Sequence, residues 1–405
     1  MEKKQLSIVI FITILLLSIV FPATTYEAAE TEAMTSKMHQ KHVTELSKFE
    51  LPKSLKRFSY DSGLSFEYPE AVRGIYLTGH SAGGSRFEKL VDFVDSTELN
   101  AMVIDIKDDD GYLTYKVEEG SPYEDMDQNY IKDPRKVLEV LEEKGIYPIA
   151  RIVVFKDSVL AKKRPDLSFT KNGKVWSNNK GESFVSPFQE EVWEHNLGIA
   201  KLAAELGFKE IQFDYVRFPE GFEKRDKELS YDLGNYKDSE LDDVKKRVAS
   251  VTDFVKYARE ELDYYDVDVS VDIFGYAATI EETPGIGQNF SKISDNVDVI
   301  SSMIYPSHWT SYFGIQMPDK EPYKLITEYS KVENEVLGKL DNKPTSRPWL
   351  QDFEAPWLYS GATKQYGKAE VEAQIKALNE NGINEFLLWN SGNSYTENVD
   401  YTPVD

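Results

Sequence analysis

Apolar positions in this chain gather into short runs that alternate with longer stretches of helical period. From Val72 onward the runs fall at 72–77, 101–107, 147–155, 210–218, 267–274, 297–305, 347–353 and 385–390. Their length and their content of Val, Ile, Phe and Tyr are those of buried strands. Between them, apolar residues recur every three or four positions near 86–96, 133–144, 188–206, 241–262, 288–295, 321–338 and 368–381, which predicts amphipathic helices. Gly145, Gly207 and Gly382 stand where three of these helices must stop before the next strand. Ser186, Pro187 and Gln189 read as N-cap, N1 and N3 of a capping box, predicting a helix that starts at Pro187.

Strand–helix alternation implies parallel pairing, and eight such units imply closure into a (β/α)8 TIM barrel; an open doubly wound sheet is the alternative. The helix-to-strand links are short, whereas 156–186, 219–240 and 306–320 are long strand-to-helix links. Loops of that kind build the working face of a barrel.

The first residues have a different pattern. Lys3 and Lys4 precede the uncharged run Leu6–Phe21, so 1–26 reads as a signal peptide or an uncleaved N-terminal anchor. Residues 27–66 read as a polar linker and 67–405 as the barrel. Export to a secreted or outward-facing location follows as an expectation, with a membrane tether through residues 6–21 if the segment is retained.

Composition narrows the chemistry. The chain holds 47 basic and 70 acidic residues, a formal charge of −23, which argues against nucleic acid as a partner. It has no cysteine, so thiolate nucleophiles, thiolate metal sites and disulfides are excluded. Five histidines are few for a His-rich metal site, and no cofactor or metal is expected.

The carboxyl ends of the strands carry polar residues where a purely structural barrel would carry Val, Ile and Leu. In 210–219, Gln212 and Asp214 share one strand face while Ile211, Phe213 and Tyr215 share the other. Asp105 and Lys107 are expected on one face of strand two, and Ser270 and Asp272 on one face of strand five. Arg217, Tyr305, His308, Trp309, Gln351, Asp352, Trp389 and Asn390 follow at or just past strand ends. Two carboxylates sharing a dry cleft push their pKa values apart, which supplies the acid and the base of glycosidic hydrolysis. Asp214 is therefore expected as nucleophile or base and Asp272 as the second carboxyl, with Arg217, Lys107, Asp105 and Asp352 tuning or orienting them. Trp176, Trp309, Trp357, Trp389 and Tyr305 are candidate platforms for sugar rings, or else packing residues.

Two motifs compete with this reading. Gly79-His80-Ser81-Ala82-Gly83 matches a nucleophile elbow, with Ser81 as nucleophile and His308 as base, but it comes straight after the first strand, with no earlier strand to supply an oxyanion loop. Asp108-Asp109-Asp110-Gly111 lacks the alternate spacing of a calcium loop and reads as a charged turn.

The same strand ends resemble a known family, the bacterial putative glycosyl hydrolase domain family, which is distantly similar to α-amylase-like barrels. The segments that carry the likeness are Arg73–Tyr76, Val103–Asp108, Ile149–Asp157, Glu210–Pro219, Asp272–Tyr276, Met303–His308, Arg347–Gln351 and Leu388–Asn390. The resemblance implies a barrel of hydrolase ancestry acting on a polysaccharide or oligosaccharide, and it places Gly79–Gly83 in the first strand-to-helix loop. A non-catalytic carbohydrate-binding barrel is the alternative. The chain departs from the family pattern at Ser186-Pro187 and Ser301-Ser302-Met303, where the family carries Asp-Pro and Ser-Pro-Met.

Overall fold

The computed structural model describes residues 59–402. The expected signal or anchor segment, and most of the expected linker, lie outside the described residues.

Eight parallel strands form the barrel: β1 (Arg73–Leu77), β2 (Ala101–Lys107), β3 (Tyr147–Val153), β4 (Glu210–Asp214), β5 (Asp268–Phe274), β6 (Val299–Met303), β7 (Trp349–Gln351) and β8 (Phe386–Trp389). Each pairs with the next, and β1 pairs with both β2 and β8, so the sheet closes. Gly74 sits at that closure, opposite Ala101 on one side and Leu387 on the other. A Cβ there would come within 2.9 Å of the Leu387 side chain and 3.0 Å of the Ala101 carbonyl, so only glycine lets the three strands meet.

The helices expected from the periodicity are present as α1 (Phe87–Asp95), α2 (Pro134–Lys144), α3 (Glu190–Leu206), α4 (Asp243–Leu262), α5 (Phe290–Ser294), α6 (Pro322–Leu337) and α7 (Lys368–Asn379). Gly145 and Gly207 end α2 and α3 in the left-handed conformation, at φ 65° and 117°. The capping box at Ser186 does not form. Helix α3 begins at Glu190, the Ser186 hydroxyl accepts the Phe188 N–H, and Phe188 is pulled into a ring cluster with Phe218 and Tyr231. Tertiary packing of that one phenylalanine outweighs the local cap.

Outward strand faces meet the helices in the main apolar core, which includes Ile75, Ile104, Ile152, Phe213, Val271 and Leu388. A second apolar set, including Tyr76, Val103, Ile149, Tyr305, Trp349 and Leu387, lines the barrel interior. The rest of that interior is polar. Near the amino ends of the strands, Arg347 donates to both oxygens of Glu210, to Glu385 and to the Tyr68 hydroxyl, each at 2.8 Å. Residues 60–65 pack beside this base: the Tyr60 N–H bonds the Tyr264 carbonyl and Leu64 joins the core. The carboxyl ends of the strands carry a second ionic cluster.

Candidate active site

Strand β4 ends abruptly because Tyr215 takes a left-handed φ of 52°, uncommon for an aromatic residue and of the kind held at functional sites. That turn aims the Tyr215 N–H back at Asp214 Oδ1, at 2.6 Å. The other carboxylate oxygen, Oδ2, accepts from Arg151 Nε at 2.9 Å and Nη2 at 2.6 Å. Arg151 comes from the inner face of β3 and is 1% exposed. It also donates to Asp105 Oδ1 at 2.6 Å and to Asp109 at 3.0 Å. The second oxygen of Asp105 takes the Tyr76 hydroxyl at 2.5 Å. Tyr76 and Trp389 stack at 4.1 Å, and the guanidinium of Arg151 lies about 5.5 Å from both rings.

Asp272 stands on the neighbouring strand at the same height. The register pairs Gln212 with Ser270 and Phe213 with Val271, so the next level sets Asp214 beside Asp272, one inter-strand spacing of about 4.8 Å apart at the backbone. Asp272 Oδ1 accepts the Trp349 indole N–H at 2.7 Å. Burial first, and the negative charge of Asp214 second, push the Asp272 carboxyl well above the ordinary carboxylate range. Asp105 is pushed up to about 6 by burial, against the opposing pull of Arg151. The mouth therefore holds two neighbouring carboxyls in unlike surroundings: Asp214 clasped by a guanidinium, and Asp272 with only a neutral N–H.

Several expected site residues lie elsewhere. Lys107 does not share a face with Asp105, because a bulge between them shifts the register against β3. It points out of the barrel, to Asp157 at 2.6 Å and to Asn196 of α3 at 2.9 Å. Arg217 does not bond Asp214. It stacks between Tyr215 and Phe274, 4.7 Å from each ring centre, and reaches Glu220 at 3.4 Å. Asp352 spends both oxygens on Thr396, accepting from its N–H and its hydroxyl. Asn390 donates to the carbonyls of Asp352 and Ser394, and Gln351 accepts the Ser307 N–H while donating to Asp319 and Phe353. These three organise the loops around the mouth. Tyr305 and Trp389 do line it, with ring centres 6.4 Å apart. His308 and Trp309 stand at its rim beside Met303 and Phe274. Trp176 borders a smaller pocket beside Tyr215 and Arg217, and Trp357 is 63% exposed.

The elbow motif is a single helical turn, Gly79–Ala82, capped by the Thr78 hydroxyl. A Cβ on Gly79 would strike Thr114, and one on Gly83 would strike the Tyr130 carbonyl, so both glycines serve close packing against the segment that follows β2. The His308 Nδ1 pairs with its neighbour Ser307, and His80 stacks on Tyr130. Asp108 Oδ1 accepts the N–H groups of Asp110, Gly111 and Tyr112, which makes it the closer of a turn.

Arg151, Tyr76 and Trp349 are the site residues that the sequence reading passed over. Arg151 carried a signal: a charged residue within Ile149–Val153 on a buried strand needs a carboxylate partner. Like Asp214, it stands on the inward face of a buried strand.

Beyond the carboxyls, the loops after β4, β5 and β6 enclose a cleft of about 610 Å³ walled by Phe274, Tyr276, Trp309 and Tyr312. On the other side of Arg217 lies a smaller pocket of about 210 Å³ beside Trp176 and Tyr215.

No curated protein matches the chain in sequence. A hypothetical protein from Ruminiclostridium thermocellum is 36% identical, with 49% of this chain and 96% of that one aligned, at a TM-score of 0.42. The glycoside hydrolase domain of PgaB (BpsB) from Bordetella bronchiseptica shares the fold at a TM-score of 0.54 and 15% identity, over 80% of this chain and 94% of that one. A β-galactosidase from Marinomonas ef1 does so at 0.53 and 12% identity, over 78% of this chain and 54% of that one. The family model for the putative glycosyl hydrolase domain matches residues 74–395, from the first barrel strand to beyond the last. The chain is a member of the putative glycosyl hydrolase domain family.

Proposed function

We propose that this protein is an exported glycoside hydrolase that cleaves a cell-surface or extracellular polysaccharide by paired-carboxyl chemistry. Asp272 is the general acid and Asp214 the nucleophile. The observation that carries this reading is the adjacency of two inward carboxyls whose surroundings differ. Asp272 passes its proton to the glycosidic oxygen as the C–O bond breaks, and the Asp214 carboxylate attacks the anomeric carbon from the opposite side. Water, deprotonated by Asp272, then releases the sugar. Side-by-side placement on neighbouring strands supports the short carboxyl separation of a retaining mechanism, about 5–5.5 Å, over the wider gap of an inverting one. Arg151 positions Asp214, Asp105 positions Arg151, and Tyr305 and Trp389 offer ring faces to the substrate. The uncharged run Leu6–Phe21 behind Lys3 and Lys4 supports action outside the cytoplasm.

The test is digestion of a polysaccharide panel by the native chain, Asp214→Asn and Ser81→Ala. The expected result is cleavage by the native chain and by Ser81→Ala, with a loss of about 10²–10⁴-fold in Asp214→Asn. Activity that survives Asp214→Asn and is lost in Ser81→Ala would replace this reading with a serine esterase.

A further inference from the structure

The small pocket beside Tyr215 differs in character from the aromatic cleft. Both have ring walls, but the charged groups of the cleft are Glu220 and Glu223, whereas the pocket is lined by Lys180, Arg217 and Arg225 together with Glu182 and Glu220. Lys156 stands just behind, its ammonium 4.1 Å from the centre of the Tyr215 ring. In a chain of formal charge −23, such a concentration of cations is against the general trend.

The pairing of these groups is incomplete. Glu182 is engaged by the Asn178 amide and by Lys156. Glu220, largely exposed, reaches Arg217 at 3.4 Å. Among the described residues neither Lys180 nor Arg225 forms an ion pair; they act on Glu182 and Glu228 only at longer range. Arg225 instead leans over Trp176, 5.7 Å from the ring centre, on the pocket wall. An aromatic wall flanked by two cations without ion-pair partners among the described residues, Lys180 and Arg225, fits a sugar ring that carries a negative charge.

Position makes the pocket part of the same site. Tyr215 is its wall and is also the residue whose N–H holds Asp214. An occupant lying against Tyr215 is one residue from the nucleophile, and Arg217, stacked between Tyr215 and Phe274, divides it from the larger cleft, whose charged lining residues are Glu220 and Glu223.

We infer that the pocket formed by Trp176, Lys180, Tyr215, Arg217 and Arg225 is a subsite for an acidic sugar residue, its anionic group being the carboxylate of a uronic acid. The inference rests on the glycosidase reading for its place in the site, and it adds the substrate class: a polysaccharide with an acidic residue next to the bond that is cut.

Binding can be measured without turnover, which separates this claim from the catalytic one. Calorimetric titration of the full chain carrying Asp214→Asn would use trigalacturonate, trimannuronate and a hyaluronan tetrasaccharide. Cellotriose serves as the neutral probe and an oligomer of glycerol phosphate as the phosphate probe. At least one uronate probe should bind more tightly than cellotriose, and less tightly as salt is raised. Arg225→Gln and Lys180→Gln should each weaken that uronate by about fivefold and leave cellotriose unchanged. Equal binding of uronates and cellotriose would overturn the proposal, as would equal losses on both probes in the variants. Binding of the phosphate oligomer alone would overturn the uronate assignment. Failure of hydrolysis with this binding pattern intact would remove the glycosidase reading and leave the subsite standing.

Discussion

The barrel holds a fully buried arginine at each end, and the two are used differently. At the base, Arg347 is matched by Glu210, Glu385 and the Tyr68 hydroxyl, and the Tyr68 ring covers it at 6.0 Å. At the mouth, Arg151 faces Asp105, Asp109 and Asp214, Asp109 being shared with Lys156 at 3.5 Å, and Asp272 stands beside them. The mouth also has the left-handed Tyr215 and two clefts beside it. Buried arginine–carboxylate pairs are thus not in themselves a mark of function. A surplus acid is not the mark either, since Asp268 at the base is raised as well; what marks the mouth is a surplus acid, Asp272, raised by burial and by the charge of Asp214, at the end of the barrel where the clefts open.

The sharpest way to break the comparison is to remove one acid at each end. Asp214→Asn should keep the fold and lose about 10²–10⁴-fold in hydrolysis, whereas Glu210→Gln should leave the folded fraction active. Glu210→Gln removes the two-oxygen partner of buried Arg347 and leaves it Glu385. The variant's unfolding free energy, read from denaturant titration, should fall by about 1.5–3 kcal/mol, the worth of hydrogen bonds to a charged group. Equal activity losses in the two variants would erase the distinction.

Asp105 gives a smaller effect, set by pH. Its carboxyl titrates at about 6 in the fold against 3.8 for the free side chain. The raised value means that the fold binds this proton more tightly than the unfolded chain does. The stability it contributes is full below pH 4 and is lost as pH rises through 6. Between pH 4 and 7 the native chain should therefore lose up to about 3 kcal/mol relative to Asp105→Asn. Asp268 at the base is also raised to about 6, by burial beside Glu210 and Asp298, so Asp268→Asn should show the same sign. Being more exposed, it should show less. A native-minus-variant difference that is flat with pH would contradict both.

The smallest expected effect is at Trp349, whose N–H favours the charged form of Asp272. Trp349→Phe should move the alkaline limb of the pH–activity profile upward, because the acid then keeps its proton longer. A downward shift would contradict the assignment of Asp272 as acid.

The barrel was legible because each strand is an apolar run bounded by a turn signal, and Gly145 and Gly207 end their helices where the pattern places them. The two catalytic candidates were legible from strand alternation alone. Lys107 was not, because the bulge that turns it outward exists only in the register with β3. Asp352, Gln351 and Asn390 misled because their partners, Thr396, Ser307, Asp319 and Ser394, come from other loops. Ser186 failed as a cap because Phe188 packs elsewhere. In each case a contact distant in sequence outweighed a local preference.

The most direct test needs no substrate. Titration of the aspartate side-chain carbons by NMR, in the native chain and in Asp214→Asn, reads the proton on Asp272 itself. The account predicts that Asp272 titrates well above the ordinary carboxylate range and moves down when the charge of Asp214 is removed. An Asp272 that titrates in the ordinary range, or that is indifferent to Asp214→Asn, would contradict it.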